Sequence, residues 1–164
     1  MKVTVRAGLI IAALVLGGCG DSPHNRTEEF LGFWSYTSGT FSVAYPGSQP
    51  GQSAVVGSVT ITRGPTSDLM YSATANGDLC ALPFDVRGSV ASVRPGSSCT
   101  LQLTDPADGT PYDLTLSPTL WTLSLNPNTR TIAEDAQGNC LEVEPAGSVA
   151  CTFSQTADLA YTVR

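Results

Sequence analysis

The stretch from residue 112 to residue 125, YDLTLSPTLWTLSL, sets apolar side chains at alternating positions among polar residues. The alternation runs through each half of the stretch, and its apolar members are Tyr112, Leu114 and Leu116, then Trp121, Leu123 and Leu125. Because successive side chains of a β-strand point to opposite faces, the pattern predicts two strands, each with one apolar and one polar face. Such strands are typical of an antiparallel sheet that is wetted on one side.

Three further segments show the same alternation, and turn-forming residues separate the segments. The apolar faces of these segments are Cys80, Leu82, Phe84 and Val86; Cys99, Leu101 and Leu103; and Leu159, Tyr161 and Val163. Predicted turns are Asn76-Gly77, Asp108-Gly109, Asn126-Pro127-Asn128 and Gln137-Gly138-Asn139. No window shows a sustained helical period. The sequence predicts an all-β fold, a single antiparallel domain of about ten to twelve short strands, as a meander barrel or a β-sandwich.

The first nineteen residues, MKVTVRAGLIIAALVLGGC, have the layout of a secretory signal. Lys2 and Arg6 supply the charged region, and an unbroken apolar run extends from Ala7 to Leu16. Ten residues rise only about 15 Å as a helix, roughly half the hydrocarbon thickness of a bilayer. We therefore interpret the run as part of a signal peptide rather than a membrane-spanning helix.

The end of this segment, Leu16-Gly17-Gly18-Cys19, resembles the lipobox of bacterial lipoproteins. The resemblance implies cleavage before Cys19, diacylation of its sulfur and acylation of the new amino terminus. Gly20 stands where aspartate is the usual inner-membrane retention signal, so the family analogy implies the outer membrane. The alternative is an ordinary signal peptide in which Cys19 is incidental. We predict a signal peptide over 1–18, an acylated cysteine and polar tether over 19–29, and a β domain over 30–164.

The remaining cysteines fit an exported protein. With Cys19 assigned to lipid, four are left, and an even number predicts two disulfides with three possible connectivities. We favour Cys80–Cys99 and Cys140–Cys151, because each pair brackets one compact hairpin-rich stretch. No C-x-x-C occurs and no histidine lies near these cysteines, so no metal site is expected.

The charge balance disfavours nucleic acid as a partner. The chain has 8 basic and 14 acidic residues, a net charge of −6. Cleavage before Cys19 would also remove Lys2, the only lysine, together with Arg6. Nucleic-acid binding requires basic patches, which this composition does not supply.

No set of catalytic residues stands out, and no cofactor motif occurs. The single histidine, His24, lies in the predicted tether, and G-x-S-x-G is absent. Without lysine in the mature chain, S-x-x-K chemistry is excluded. Asp105, Asp108 and Asp113 could gather around Ca²⁺, but their spacing does not match an EF-hand, and a solvated turn is the preferred interpretation.

Carboxylate pairs leave a hydrolase as one hypothesis. Glu134-Asp135 and Glu142/Glu144 could act as acid and base in glycoside hydrolysis. Alternation over 140–144 instead predicts that Leu141 and Val143 face inward and both glutamates face outward. We therefore expect a protein that is not an enzyme.

A weaker resemblance concerns the start of the β domain. Gly32-Phe33-Trp34 is similar to the G-x-W opening of lipocalin and avidin-like barrels. The resemblance implies that Trp34 plugs the closed end of a lipocalin-like barrel and that Arg164, at the end of the last predicted strand, packs over it. The alternative is that Trp34 is one core aromatic among several. The later lipocalin motifs are not recognisable, and the β-rich region as a whole resembles small uncharacterised lipoproteins of Gram-negative bacteria.

Three functional hypotheses follow. The first is a non-enzymatic interaction module on the cell envelope, anchored to the membrane by lipid, that recognises an envelope protein or polysaccharide. The second is a lipocalin-like carrier of a small apolar ligand. The third is the carboxylate-based hydrolase.

Overall fold

The computed structural model describes residues 25–75, 78–105, 109–145 and 147–163. The predicted signal peptide, Cys19 and Arg164 lie outside these residues, as do positions 76, 77 and 108 of two predicted turns. The described part contains one short helix and ten strands. They are α1 (Thr27–Phe30), β1 (Gly32–Ala44), β2 (Gly51–Ala54), β3 (Ser58–Arg63), β4 (Leu69–Ala75), β5 (Asp78–Arg87), β6 (Val90–Val93), β7 (Cys99–Thr104), β8 (Pro111–Asn126), β9 (Thr131–Glu144) and β10 (Gly147–Tyr161).

Eight of the strands close into an antiparallel barrel. Around the barrel the order is β1, β3, β4, β5, β6, β8, β9 and β10, and β10 pairs back onto β1. The two remaining strands are attached to long barrel strands, β2 to the second half of β1 and β7 to the first half of β8. The structure thus confirms the all-β prediction and selects the barrel over the sandwich.

The alternation that predicted the strands also identifies the barrel interior. The side chains predicted on one face of β5 and β8 are buried, apart from Tyr112, which is partly buried. One prediction is wrong: Val163 is 82% exposed and follows the end of β10 at Tyr161. It does not continue the apolar face of Leu159 and Tyr161, because the ladder to β1 has already ended at Trp34.

The strands are longer than predicted, because two sequence features that predicted a strand end or a turn lie inside continuous strands. The two apolar series of the 112–125 stretch belong to the single strand β8, and a register shift between Pro118 and Leu120 reverses the face between them. The predicted turn at 137–139 lies inside β9, opposite this bulge. A Cβ on Gly138 would collide with the Ser117 carbonyl and lie 2.6 Å from Pro118 Cα. Gly138 therefore permits close approach of two backbones rather than a chain reversal.

Both predicted disulfides are confirmed. Cys140 and Cys151 lie directly opposite each other on β9 and β10, with their Cα atoms 4.8 Å apart. Cys80 and Cys99 join β5 to β7, with a Cα separation of 5.2 Å. The second bridge links strands that are not neighbours in the hydrogen-bonded order, so it fixes β7 against the barrel wall.

The two ends of the barrel differ. At the closed end, α1 brings Phe30 beneath Trp34, and both side chains are fully buried. At the open end, β2 and β7 each have a hydrogen-bonded neighbour on one side only.

No helix among the described residues is long and apolar enough to cross a membrane.

Candidate functional site

The open half of the barrel contains a cavity of about 270 Å³. Its wall is mostly apolar, and three of its polar members, Tyr36, Tyr71 and Gln155, contribute hydroxyl and amide groups. The apolar wall residues include Phe41, Val55, Val56, Leu101, Leu103, Leu114, Leu116 and Trp121. Two of the lining side chains, Ala54 and Ala73, are small. An apolar cavity with a few polar groups is the usual form of a small-molecule site.

A buried carboxylate lies just behind this wall. Glu134 is 3% exposed, and its Oε1 accepts hydrogen bonds from the Tyr71 hydroxyl at 3.0 Å and from Trp121 Nε1 at 2.6 Å. The Tyr36 and Tyr71 hydroxyl oxygens are 2.5 Å apart, so the network continues across the cavity floor. Glu134 Oε2 is buried and has no hydrogen-bond partner. We call Tyr36, Tyr71, Trp121, Glu134 and Gln155 the polar cluster.

Strand parity explains how Glu134 enters the interior. On β9, Ile132, Glu134 and Ala136 alternate with exposed residues, so the glutamate occupies a position that is otherwise apolar. It lies opposite Leu123 on β8 and Ala157 on β10. A polar residue in the middle of an inward-facing series was the available sequence signal. The role of Glu134 depends on hydrogen-bond donors from other strands, and the sequence alone does not show that these residues lie close together.

Burial is the largest cause of the pKa shifts in the polar cluster. Removal from water raises the pKa of the Glu134 carboxyl, and hydrogen bonds led by those from Tyr71 and Trp121 oppose the rise. Burial, with the nearby Glu134 charge, also raises the pKa of the Tyr71 and Tyr36 hydroxyls. Both tyrosines therefore stay protonated at neutral pH and can donate or accept hydrogen bonds.

Positive charge is kept away from the cavity. None of its described lining residues is a lysine, arginine or histidine. Arg26 pairs with Glu29 and Arg63 with Glu28, both at α1. The polar cluster thus holds a carboxyl group without a cationic partner in the cavity wall.

The closed end has an aromatic arrangement that only partly matches the lipocalin analogy. Trp34 Nε1 donates a hydrogen bond to the Phe30 carbonyl at 2.8 Å, and the Tyr161 ring packs edge-on at a centroid distance of 5.3 Å. The Arg130 guanidinium lies 3.5 Å from the centroid of the Tyr161 ring. The predicted Trp34–Arg164 contact lies outside the described residues.

The other predicted carboxylates are separated from Glu134. Asp135, its neighbour in sequence, points to the outer face. The prediction for 140–144 is wrong for Leu141 and Val143, which are 42% and 41% exposed, whereas Glu144 is exposed as predicted. Glu142 instead lies on the interior face toward the open end, where it accepts a hydrogen bond from the Tyr45 hydroxyl. The inward-facing disulfide cysteine at 140 sets this parity, because positions two residues apart share a face.

The structure also bears on metal binding and on the outer surface. Within the described ranges, no three His, Cys, Asp or Glu side chains gather to hold a metal ion. Asp105 and Asp113 are described, whereas Asp108 is not.

Outside the barrel, a hollow of about 430 Å³ is lined mainly by hydroxyl and amide side chains, including Ser42, Gln137 and Asn139.

Comparisons with known proteins add little to this geometry. The sequence matches no family model and no curated protein. Among solved structures, it is similar to a protein of unknown function from the DUF3598 family of Nostoc punctiforme, with 14% identity and a TM-score of 0.28. The match covers 80% of this chain and 48% of that protein, so the chain spans about half of its length.

Proposed function

We propose that this protein is a lipid-anchored protein of the cell envelope whose barrel binds a small, mostly apolar ligand without catalysing a reaction. The observation that carries the proposal is the apolar cavity above the polar cluster. Its volume of about 270 Å³ is slightly below that of ordinary ligand sites, which span roughly 300–1,000 Å³. The ligand is therefore expected to be small.

The anchoring part of the proposal rests on the lipobox resemblance at Cys19 and is supported by the two disulfides, which are typical of exported proteins. Attachment to the outer membrane follows from Gly20 by the same analogy. Cys19→Ser should move the protein from the membrane fraction to the soluble fraction. A variant that still sediments with membranes would contradict lipid attachment.

The placement of Glu134 favours binding over hydrolysis in the cavity, whereas Glu142 and Glu144, two positions or about 7 Å apart on β9, lie toward the open end, where Glu144 is exposed. Glycoside hydrolysis requires two carboxyl groups within about 10 Å of each other. The two described inward-facing glutamates on β9, Glu134 and Glu142, are eight positions apart, which corresponds to about 26 Å along a strand. Asp135 faces away from Glu134 and cannot serve as its partner across the cavity.

A dye titration with a matched pair of variants tests the cavity. The uncharged, polarity-sensitive dye prodan should bind the purified lipid-free domain saturably, with a blue-shifted emission. Ala73→Phe, inside the cavity, should abolish binding because the ring fills the space. Ser72→Phe, one residue earlier and on the face of β4 opposite to the buried Tyr71 and the cavity-lining Ala73, should bind as the wild type does.

Two further results keep this test decisive. Cooperative thermal unfolding of both variants would show that they are folded. In the wild type, dye-induced NMR shifts should be confined to cavity residues such as Leu101 and Leu103. A folded wild-type domain that binds no dye, or whose shifts map only to the outer face, would overturn the carrier proposal.

The interaction module remains the second candidate. The sequence favoured it, and the hydroxyl- and amide-lined hollow on the outer face offers hydrogen-bonding groups for a polysaccharide. Combined substitution of Gln137 and Asn139 by alanine should then reduce retention on immobilised envelope polysaccharide. Unchanged retention, or none by the wild type, would count against this candidate.

A further inference from the structure

The polar cluster contains an incompletely compensated carboxyl group. Glu134 Oε1 has two hydrogen-bond donors, whereas Oε2 is buried without one. Buried polar atoms in proteins nearly always have partners, and leaving one unpaired is costly. Glu134 is the only residue in the described part of the chain with such a buried side-chain atom. A positive charge placed nearby would therefore stabilise the ionised form of this carboxyl group.

The cluster is also accessible to a ligand in the cavity. Tyr71 and Trp121 contact the carboxyl group directly and line the cavity at the same time. Tyr36 and Gln155, two further members of the polar cluster, also line the cavity. Their hydroxyl and amide oxygens can accept hydrogen bonds from a headgroup, and the Glu134 carboxyl group lies one side chain behind them.

The charge around the cavity discriminates between headgroups. None of the lining residues that the structure describes is basic, and Glu142 lies on the interior face toward the open end. A cationic headgroup would stabilise the ionised form of the Glu134 carboxyl, whereas an anionic headgroup would meet that form as like charge in a poorly hydrated space. An uncharged hydroxyl could form the same hydrogen bonds without the charge attraction.

Resting on the proposed ligand-binding function, we infer that the cavity selects small apolar amines, with the ammonium group held by Tyr36, Tyr71 and Gln155 and with Glu134 as its counter-charge. The apolar body of the amine occupies the wall formed by Leu101, Leu103 and their neighbours. The site thus rejects fatty acids and other carboxylates, which an apolar cavity alone would accept.

Three probes with the same phenyl body test the inference on the wild-type protein. They are 2-phenylethylamine, 2-phenylethanol and 3-phenylpropionate, compared by isothermal titration at pH 7. The amine should bind about tenfold more tightly than the alcohol, the difference expected for a charge-assisted hydrogen bond. The carboxylate should bind most weakly. Equal affinity of amine and alcohol, or tightest binding of the carboxylate, would overturn the inference.

A charge-removing variant assigns the selectivity to Glu134. Glu134→Gln should reduce the affinity for the amine about tenfold and change that for the alcohol by less than about twofold. Asp135→Asn removes the same charge from the adjacent outer position of β9 and should keep the wild-type preference. Retained preference in folded Glu134→Gln, or its loss in Asp135→Asn, would contradict the assignment. The wild-type probe series decides the selectivity even if Glu134→Gln does not fold.

The outcomes separate this inference from the proposed function. Binding of prodan and of the alcohol without preference for the amine would leave the carrier intact and remove the amine selectivity. Failure of prodan and of all three phenyl probes to bind would remove both.

Discussion

The closed and open halves of the barrel are built from the same long strands, yet one is filled and the other is hollow. In the closed half, Trp34, Leu123 and Ile132 are buried, and each strand has neighbours on both sides. In the open half, the same alternation continues, but small residues and two strands with only one neighbour leave a cavity of about 270 Å³. Alternation therefore determines which side chains face inward. It does not determine whether those side chains fill the space.

An aromatic layer separates the halves. Tyr71 packs against Trp121 at a centroid distance of 5.5 Å and against Phe84 at 5.8 Å. Glu134 hydrogen-bonds to two members of this layer, so the polar cluster lies at the boundary between packed core and cavity.

Truncating one leucine in each half should give the largest contrast. Leu123→Ala, at a fully buried site, should lower the free energy of unfolding by about 3–4 kcal/mol, from lost apolar burial and a new void. Leu103→Ala, at a partly buried position that already borders the cavity, should cost about 1 kcal/mol. Urea denaturation measures both. Equal costs would mean that the open half is as tightly packed as the closed half.

The two disulfides should have similar effects on stability but different effects on binding. Replacing either pair by serine should lower the free energy of unfolding by about 3 kcal/mol in the chain-entropy model. Loss of Cys80–Cys99 should also weaken prodan binding, because this bridge ties β7, which carries Leu101 and Leu103, to β5. Loss of Cys140–Cys151 should leave binding intact, because hydrogen bonds already join β9 and β10 across that pair. The opposite pattern would show that β7 does not depend on its disulfide.

Alanine substitutions at two glycines compare a crowded position in the barrel wall with an open position on an edge strand. Gly138→Ala should cost about 2 kcal/mol or more, because the added methyl group meets the backbone of the β8 bulge. Gly51→Ala, on edge strand β2, has the Val43 carbonyl 3.9 Å away as the closest atom and should change stability by less than about 0.5 kcal/mol. Thermal denaturation of the two variants is sufficient. A mild effect at Gly138 would indicate that the bulge can move.

Much of this architecture could be predicted from the sequence. The alternation on β5 and β8 identified inward faces, and cysteine number with spacing identified both disulfides. The ends of the strands were harder to predict from the sequence, because a glycine such as Gly138 has two possible structural roles. A glycine permits both turns and close backbone approach, and only the partner strand decides between them.

The candidate site was largely beyond prediction, because its members come from different strands. Tyr36, Tyr71 and Gln155 are unremarkable singly, and their meeting with Glu134 depends on the order of strands around the barrel. The sequence prediction includes Glu134, but pairs it with Asp135. Adjacent residues of a strand face opposite sides, so strand geometry itself argues against that pair.

The pH dependence of stability tests the boundary between the halves with the smallest expected effect. Since the pKa of Glu134 is raised in the folded protein, folding favours the protonated carboxyl. Its contribution to stability is therefore complete below the ordinary glutamate pKa, about 4.3, and is lost as the pH rises through the raised value. Glu134→Gln should match the wild type near pH 4 and exceed its free energy of unfolding at pH 8 by about 1–2 kcal/mol.

The same measurement with ligand connects stability to selectivity. The groups that face the Glu134 carboxyl, namely Tyr36, Tyr71, Trp121 and Gln155, are uncharged at these pH values, so the difference between variant and wild type reports Glu134 itself. Asp135→Asn should not reproduce the effect of Glu134→Gln. Saturating 2-phenylethylamine should remove the advantage of Glu134→Gln at pH 8, because a bound ammonium stabilises the ionised carboxylate of the wild type. An advantage that persists with amine bound would place the ammonium away from Glu134.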